Sequence, residues 1–288
     1  MPSRTRCVLL AAAVLAVASG CARVDLTNEW PGLAEPTGWE PKAGVCTSSF
    51  SAITYRSSYT PTDCGQTHVY ETVHVGRFAG DGAALDKPPA RGHTALLAAW
   101  AECDTKTTDY LGGQWRDAKI TIGVSVPSVG AWESGARWFR CEAAPTRTPF
   151  SDATVWGKSL KGELAQDSTL KITCVRIPED DDEEWPEIGC GEPHNGEYVG
   201  SFTSTDTWAW VDDDANGQAI HRKCLTVIAS YVGVPDDRNM QYRSGSGYWA
   251  PREEDWQDGD HNVRCYLYLD KNVTRSLKGG GSKALPIN

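Results

Sequence analysis

The chain has 288 residues, with 28 lysines and arginines against 38 aspartates and glutamates, for a formal charge of −10. That balance argues against nucleic acid as a partner and against charge-driven adhesion to anionic lipid. Ten cysteines in no C-x-x-C arrangement argue against a zinc site built on thiolates and for disulfides outside the cytoplasm.

Residues 1–21 form an export signal, with Arg4 and Arg6 followed by an apolar run from Val8 to Val17 and small residues. The run is too short to span a bilayer. Ala18-Ser19-Gly20-Cys21 resembles a bacterial lipobox, with alanine where leucine is usual. Cleavage after Ala16-Val17-Ala18 is the alternative, and it would leave Cys21 unpaired in an oxidising compartment. Cys21 is therefore expected to carry a lipid and to hold the protein on the extracytoplasmic face of the cell membrane; simple secretion is the rival. Removal of Arg4 and Arg6 takes the mature charge to −12. Residues 22–44, rich in proline, read as an extended tether.

From there the chain says the same thing twice. Cys64-Gly65-Gln66-Thr67-His68-Val69-Tyr70-Glu71 returns as Cys190-Gly191-Glu192-Pro193-His194-Asn195-Gly196-Glu197. Tyr110 and Gly112 follow Cys103 at the offsets at which Tyr231 and Gly233 follow Cys224. Pro127, Trp132, Gly135, Arg140 and Cys141 recur as Pro251, Trp256, Gly259, Arg264 and Cys265, and Ser-Leu-Lys-Gly closes both copies at 159–162 and 276–279. The chain is a tandem duplication of a unit of about 110 residues, with repeat 1 at 45–162, repeat 2 at 170–279 and a disordered tail expected at 280–288.

Each repeat carries four cysteines: Cys46, Cys64, Cys103 and Cys141, then Cys174, Cys190, Cys224 and Cys265. Pairing within repeats leaves three choices in each; Cys46–Cys64 with Cys103–Cys141, and Cys174–Cys190 with Cys224–Cys265, are favoured.

Apolar spacing predicts helices between Arg91 and Leu111 and from Asp212 to Gly233. Alternation predicts strands at Thr72–Phe78, Lys119–Val126, Arg137–Glu142, Leu170–Arg176 and Val263–Leu269. The fold class is α+β: two tandem disulfide-stapled repeats, each a small, mainly antiparallel sheet with one helix. The acidic run at 179–187 lies between Cys174 and Cys190 and lacks the spacing of a calcium loop; it reads as a solvated loop.

His68, Glu71, His194 and Glu197 are the chemical candidates. Facing one another across the repeats, they would make a four-ligand metal site suited to zinc. Residues three apart on a strand point to opposite faces, so a structural role is preferred, and no metal or other cofactor is expected. Glu71 is expected to pair with Arg140, and Glu197 with Arg264. Trp132 and Trp256 are read as closing each core. The G-x-S-x-G and H-E-x-x-H motifs are absent. Ser168-Thr169-Leu170-Lys171 and Gly157-Lys158-Ser159 are accidental matches to serine-enzyme and phosphate-loop patterns.

The C-G-x-x-H-x-x-E-x-V block, continuing to Val73 and Val199 and on to Gly76-Arg77-Phe78 and Gly200-Ser201-Phe202, resembles the septum formation family of actinobacterial envelope proteins, from about Ala43 to Gly279. The resemblance implies a role in cell division or cell-wall septation and carries no catalytic residues. The expected function is non-enzymatic: a lipid-anchored protein acting in septum formation by binding an envelope or division protein or the cell wall. The alternatives are an extracytoplasmic metal-dependent hydrolase using His68, Glu71, His194 and Glu197, and a structural lipoprotein without a specific partner.

Overall fold

The computed structural model describes residues 38–149, 151–178 and 185–287. The signal, Cys21, most of the tether and most of the acidic run lie outside the described residues. From Trp39 onward the chain forms one compact unit. Repeat 1 contains β1 (Val45–Thr47), β2 (Ile53–Thr54), β3 (Tyr70–Arg77), α1 (Gly80–Ala83), α2 (Thr94–Leu111), β4 (Ile120–Pro127), α3 (Val129–Glu133) and β5 (Trp138–Pro145). Repeat 2 contains β6 (Cys174–Val175), β7 (Glu187–Ile188), β8 (His194–Thr203), α4 (Trp208–Val211), α5 (Gly217–Val232), β9 (Gly245–Trp249), α6 (Glu253–Asp258) and β10 (Asn262–Val273), followed by α7 (Gly281–Ala284).

The α+β architecture is as expected: two five-stranded sheets, ordered β1-β3-β5-β4-β2 and β7-β6-β8-β10-β9. All pairings are antiparallel except β2 with β4. The repeats superpose in topology, β1 on β6, β3 on β8, β4 on β9 and β5 on β10. Each sheet packs its long helix on one face. In α2 the buried positions Ala99, Cys103, Thr107 and Leu111 recur every fourth residue, and α5 does the same with Ile220, Cys224, Ile228 and Val232, which is the stripe a helix needs to lie on a sheet.

The recurring glycine after each helix has a local cause. Gly112 and Gly233 sit at φ 72° and 81° as the left-handed terminators of α2 and α5, a conformation costly for a residue with a Cβ.

The disulfides are Cys46–Cys64, Cys103–Cys141, Cys174–Cys190 and Cys224–Cys265, all within repeats. Cys103–Cys141 staples α2 to β5, the middle strand of its sheet, and Cys224–Cys265 staples α5 to the counterpart strand β10, between β8 and β9. The other two hold β1, at the edge of its sheet, and β6, between β7 and β8, to the loop that returns beside them.

Three expectations change. The strand predicted at 170–176 contributes only Cys174–Val175 to the sheet. Its first half instead spans the repeats: Lys119 N–H donates to Leu170 C=O at 2.7 Å and Ile172 N–H to Asp117 C=O at 3.0 Å, while Leu170 joins the core of repeat 1 and Ile172 that of repeat 2. Where a disordered tail was expected, Gly281–Ala284 forms α7, and Leu285 is buried against the core of repeat 2, its carbonyl accepting from Arg243 Nη1 at 2.5 Å. The end of the tether folds too: Trp39 packs edge-on against Tyr59 and Trp138, and Glu40 pairs with Arg77.

Candidate functional site

The duplicated His/Glu block builds a carboxylate socket in each repeat. Glu71, on β3, is buried and accepts from Tyr110 Oη at 2.5 Å, Ser159 Oγ at 2.7 Å and Leu160 N–H at 2.6 Å. Glu197, on β8, accepts from Tyr231 Oη at 2.7 Å, Leu277 N–H at 2.9 Å and Ser276 Oγ. The three recurring pieces of sequence thus meet at one point: the glutamate, the tyrosine seven residues after a cysteine, and the Ser-Leu of the closing motif. Charge-assisted bonds of this kind are the strong ones, and here they clip the end of each repeat onto its sheet and helix. Burial, and then the bond to Glu71, push the Tyr110 hydroxyl up to about 12; Tyr231 moves in the same direction for the same reasons.

Each histidine turns its Nδ1 to a backbone carbonyl two residues back, Gln66 for His68 and Glu192 for His194, both at 2.7 Å. A carbonyl only accepts, so Nδ1 carries the proton and, in the neutral ring, Nε2 is left as an acceptor. Both Nε2 atoms are buried without a hydrogen-bond partner. Ligand atoms of Cys46, His68 and Glu71 cluster, as do those of Cys174, Cys190 and His194. The cysteines are disulfide-bonded and offer no thiolate, and no group of ligand atoms among the described residues joins the two repeats. The structure does not bring His68, Glu71, His194 and Glu197 together.

Nor does it form the expected ion pairs. Glu71 stands opposite Ala143 and Glu197 opposite Leu267, each three residues from the arginine on the partner strand. An odd offset along a strand puts the two side chains on opposite faces. Arg140 lies on the face away from α2, with Nη1 3.1 Å from Glu142 Oε1, Nη2 donating to Thr54 Oγ1 at 3.0 Å and the guanidinium over the Tyr59 ring. Burial pushes the Glu142 carboxyl up, opposed by Arg140 and by the bond from Thr72. Arg264 leaves its own repeat and donates Nε to the Arg116 carbonyl at 3.1 Å.

Trp132 and Trp256 are both buried; Trp132 donates Nε1 to Leu85 C=O at 2.7 Å and Trp256 stacks on His261. Ser168 is tied to Glu163 and Lys158 pairs with Glu163, so the two accidental motifs are local structure.

Arg116 is the centre of the contact between repeats. It is 4% exposed by side chain, with Nη1 2.6 Å from Asp104 of its own repeat and Nε 3.0 Å from Asp260 of the other. Its guanidinium lies over Trp115 at 4.3 Å and Trp100 at 5.5 Å. Tyr198 Oη reaches across to Asp117 Oδ1 at 2.9 Å, and Arg91 Nε to Asp258 Oδ1 at 2.7 Å. Burial raises the Asp258 carboxyl and the Arg91 bond opposes it.

A cleft opens on either side of this contact. One side, ≈ 500 Å³, is lined by Trp100, Trp115, Trp208, Tyr248 and Trp249 with Asp212 and Asp214. The other, ≈ 820 Å³, runs along β4 and is lined by Phe50 and Ile53 of repeat 1 and by Arg252, just before α6, and Glu254 within it. Concave, aromatic-rich surfaces with a few polar groups are where ligands bind, whereas the two socket carboxylates have spent their acceptor oxygens on the fold.

The family model described as Septum formation matches residues 43–265, a span that takes in the first socket, Glu197 and Tyr231 of the second, and both sides of the cleft, while Ser276 and Leu277 lie beyond it. The chain belongs to the septum formation family. No curated protein and no solved structure matches it.

For this septum formation protein, sequence reasoning missed the cleft because it followed what recurs. Trp100, Trp115, Arg116, Trp208, Trp249 and Asp260 have no like residue at the equivalent positions of the other repeat. The available signal was the unshared tryptophans: of twelve in the chain, Trp132 and Trp256 are the pair that the matched blocks repeat.

Proposed function

We propose that this septum formation family protein is a non-enzymatic envelope protein, held to the membrane by a lipid on Cys21, that acts in septation by binding a division protein or the cell wall in the cleft between its repeats. Four disulfides point to an extracytoplasmic domain, and no described helix is long and apolar enough to cross a membrane. The observation that carries the reading is the cleft itself, which gathers aromatic and charged side chains that the internal duplication does not require. Both glutamates that a hydrolase would need are held by three protein donors each.

Co-purification from gently solubilised membranes of dividing cells tests this. Division proteins or cell-wall fragments should be enriched with the wild type and lost with the double variant Asp212→Asn, Asp214→Asn, two exposed cleft carboxylates, whose thermal midpoint should stay near that of the wild type. An unchanged set of partners would refute binding in the cleft. Chemical change in peptidoglycan fragments incubated with the pure protein would refute the non-enzymatic reading, and an unlipidated mature N-terminus at Ser19 would refute the anchor.

A further inference from the structure

One strand edge in the cleft is unfinished. β4 bonds to β5 on one side, and on the other β2 reaches only Val126 and Pro127. Val126 N–H donates to Ala52 C=O and Ser128 N–H to Thr54 C=O, while Lys119 C=O accepts from Thr146. Backbone groups alternate sides along a strand, so odd-numbered residues of β4 face β5 and even-numbered ones face outward. Ile122 and Val124 therefore turn their N–H and C=O groups to the open edge, where no other backbone among the described residues meets them. Both residues line the larger side of the cleft, and Ile53 and Val129 flank the edge with exposed apolar surface.

Around the edge itself the larger side of the cleft holds four carboxylates and three basic side chains among the described residues; the acidic excess lies on the smaller side, which Ile122 also lines. Along both sides of the cleft, eight carboxylates stand against four basic side chains among the described residues. Arg91 and Arg252 are already engaged by Asp258 and by Asp255, and Asp212 and Asp214 enter no ion pair among the described residues. Aromatic rings beside unpaired carboxylates suit a cation.

We propose that the open edge of β4 takes an extended, lysine- or arginine-bearing polypeptide segment as an added strand, its backbone bonded to Ile122 and Val124 and its basic side chains directed to the acidic, aromatic walls of the cleft. This rests on the cleft being the binding surface and names the class of partner. Strand addition draws affinity from main-chain bonds and specificity from alternate side chains, which matches an edge with free donors and acceptors beside a charged wall.

The test uses the purified exported protein and blocked hexapeptides of alternating lysine and valine, read by calorimetry and by tryptophan fluorescence. The lysine peptide should bind, and its glutamate counterpart should bind at least about tenfold more weakly. Methylating every second amide nitrogen, in the frame that blocks pairing with β4, should weaken binding about tenfold, and the opposite frame should not. Ile122→Pro removes an outward donor without touching the ladder to β5, a position an edge strand tolerates, and should cost a similar factor. If that variant misfolds by circular dichroism, the methylated peptides on the wild type decide. Asp152→Ala with Glu254→Ala, both highly exposed, should weaken binding about threefold at low salt. Equal binding of the lysine and glutamate peptides, or of both methylated frames, would overturn the proposal. So would binding of soluble glycan strands but not of the lysine peptide, and that result would leave the envelope-binding reading standing.

Discussion

Repeat 1 and repeat 2 use the same residues in two different ways. Facing inward they are alike: the disulfide from helix to last long strand, the glutamate held by tyrosine and serine, and the left-handed glycine after the helix each occur in both. Facing outward they part. Arg140 stays in its own sheet beside Glu142, whereas Arg264 crosses to the Arg116 carbonyl. A methyl group on Gly135 would meet open space, but one on Gly259 would stand 3.0 Å from Trp100 Cε3. Positions that fold a repeat were kept in register by their shared geometry, and positions on the facing sides were free to become a joint and a cleft.

The largest effect expected on this comparison comes from the helix-to-strand staples. Replacing Cys103 and Cys141 with alanine, or Cys224 and Cys265, should cost about 3–4 kcal/mol each, since the loops are of similar length. Denaturant midpoints check the size, and hydrogen exchange should place the loss chiefly in the repeat altered.

Arg116→Ala should cost about 3 kcal/mol, because it strands the largely buried Asp260. Its signature should be raised exchange at the joint, with both sockets still protected. If instead only repeat 1 loosens, Arg116 is not what couples the repeats.

Glu71→Gln and Glu197→Gln should each cost about 2 kcal/mol, by exchanging charge-assisted bonds for neutral ones. Near-equal losses in thermal or chemical denaturation are expected; a twofold disparity would break the equivalence of the sockets. The same sockets have a pH signature. Tyr110 ionises at about 12 in the fold, above its ordinary value of 10.0, so the folded state favours the protonated hydroxyl. That stability is complete below pH 10 and is lost as the pH rises through about 12. Tyr110→Phe should flatten this part of the stability profile, and absorbance at the phenolate band should report the shifted titration.

The smallest effect sharpens the outward difference. Gly135→Ala and Gly259→Ala both place a Cβ at positive φ, 94° and 121°, for about 1 kcal/mol. Gly259→Ala should cost more and should also perturb the fluorescence of Trp100; equal costs with no spectral change would show that the joint tolerates displacement there.

By itself the sequence determined what is local or duplicated. Helices and strands followed from spacing, and asking that each copy fold alone confined the disulfides to their own repeats while leaving three pairings in each, of which the favoured one formed. The roles of Glu71, Arg140, Glu197 and Arg264 did not follow. Both charges of each expected pair were visible, but which face of the sheet each would occupy depends on register, and register is fixed only when strands pair. Leu170 and Ile172 read as a strand and became a splice between repeats; Leu285 read as tail and became core. In each case the partner lies far away in the sequence and leaves no local trace. The cleft is the extreme instance: Trp100 meets Gly259 and Arg116 meets Asp260 only because two independently legible units close on one another, and no periodicity within either unit encodes those contacts.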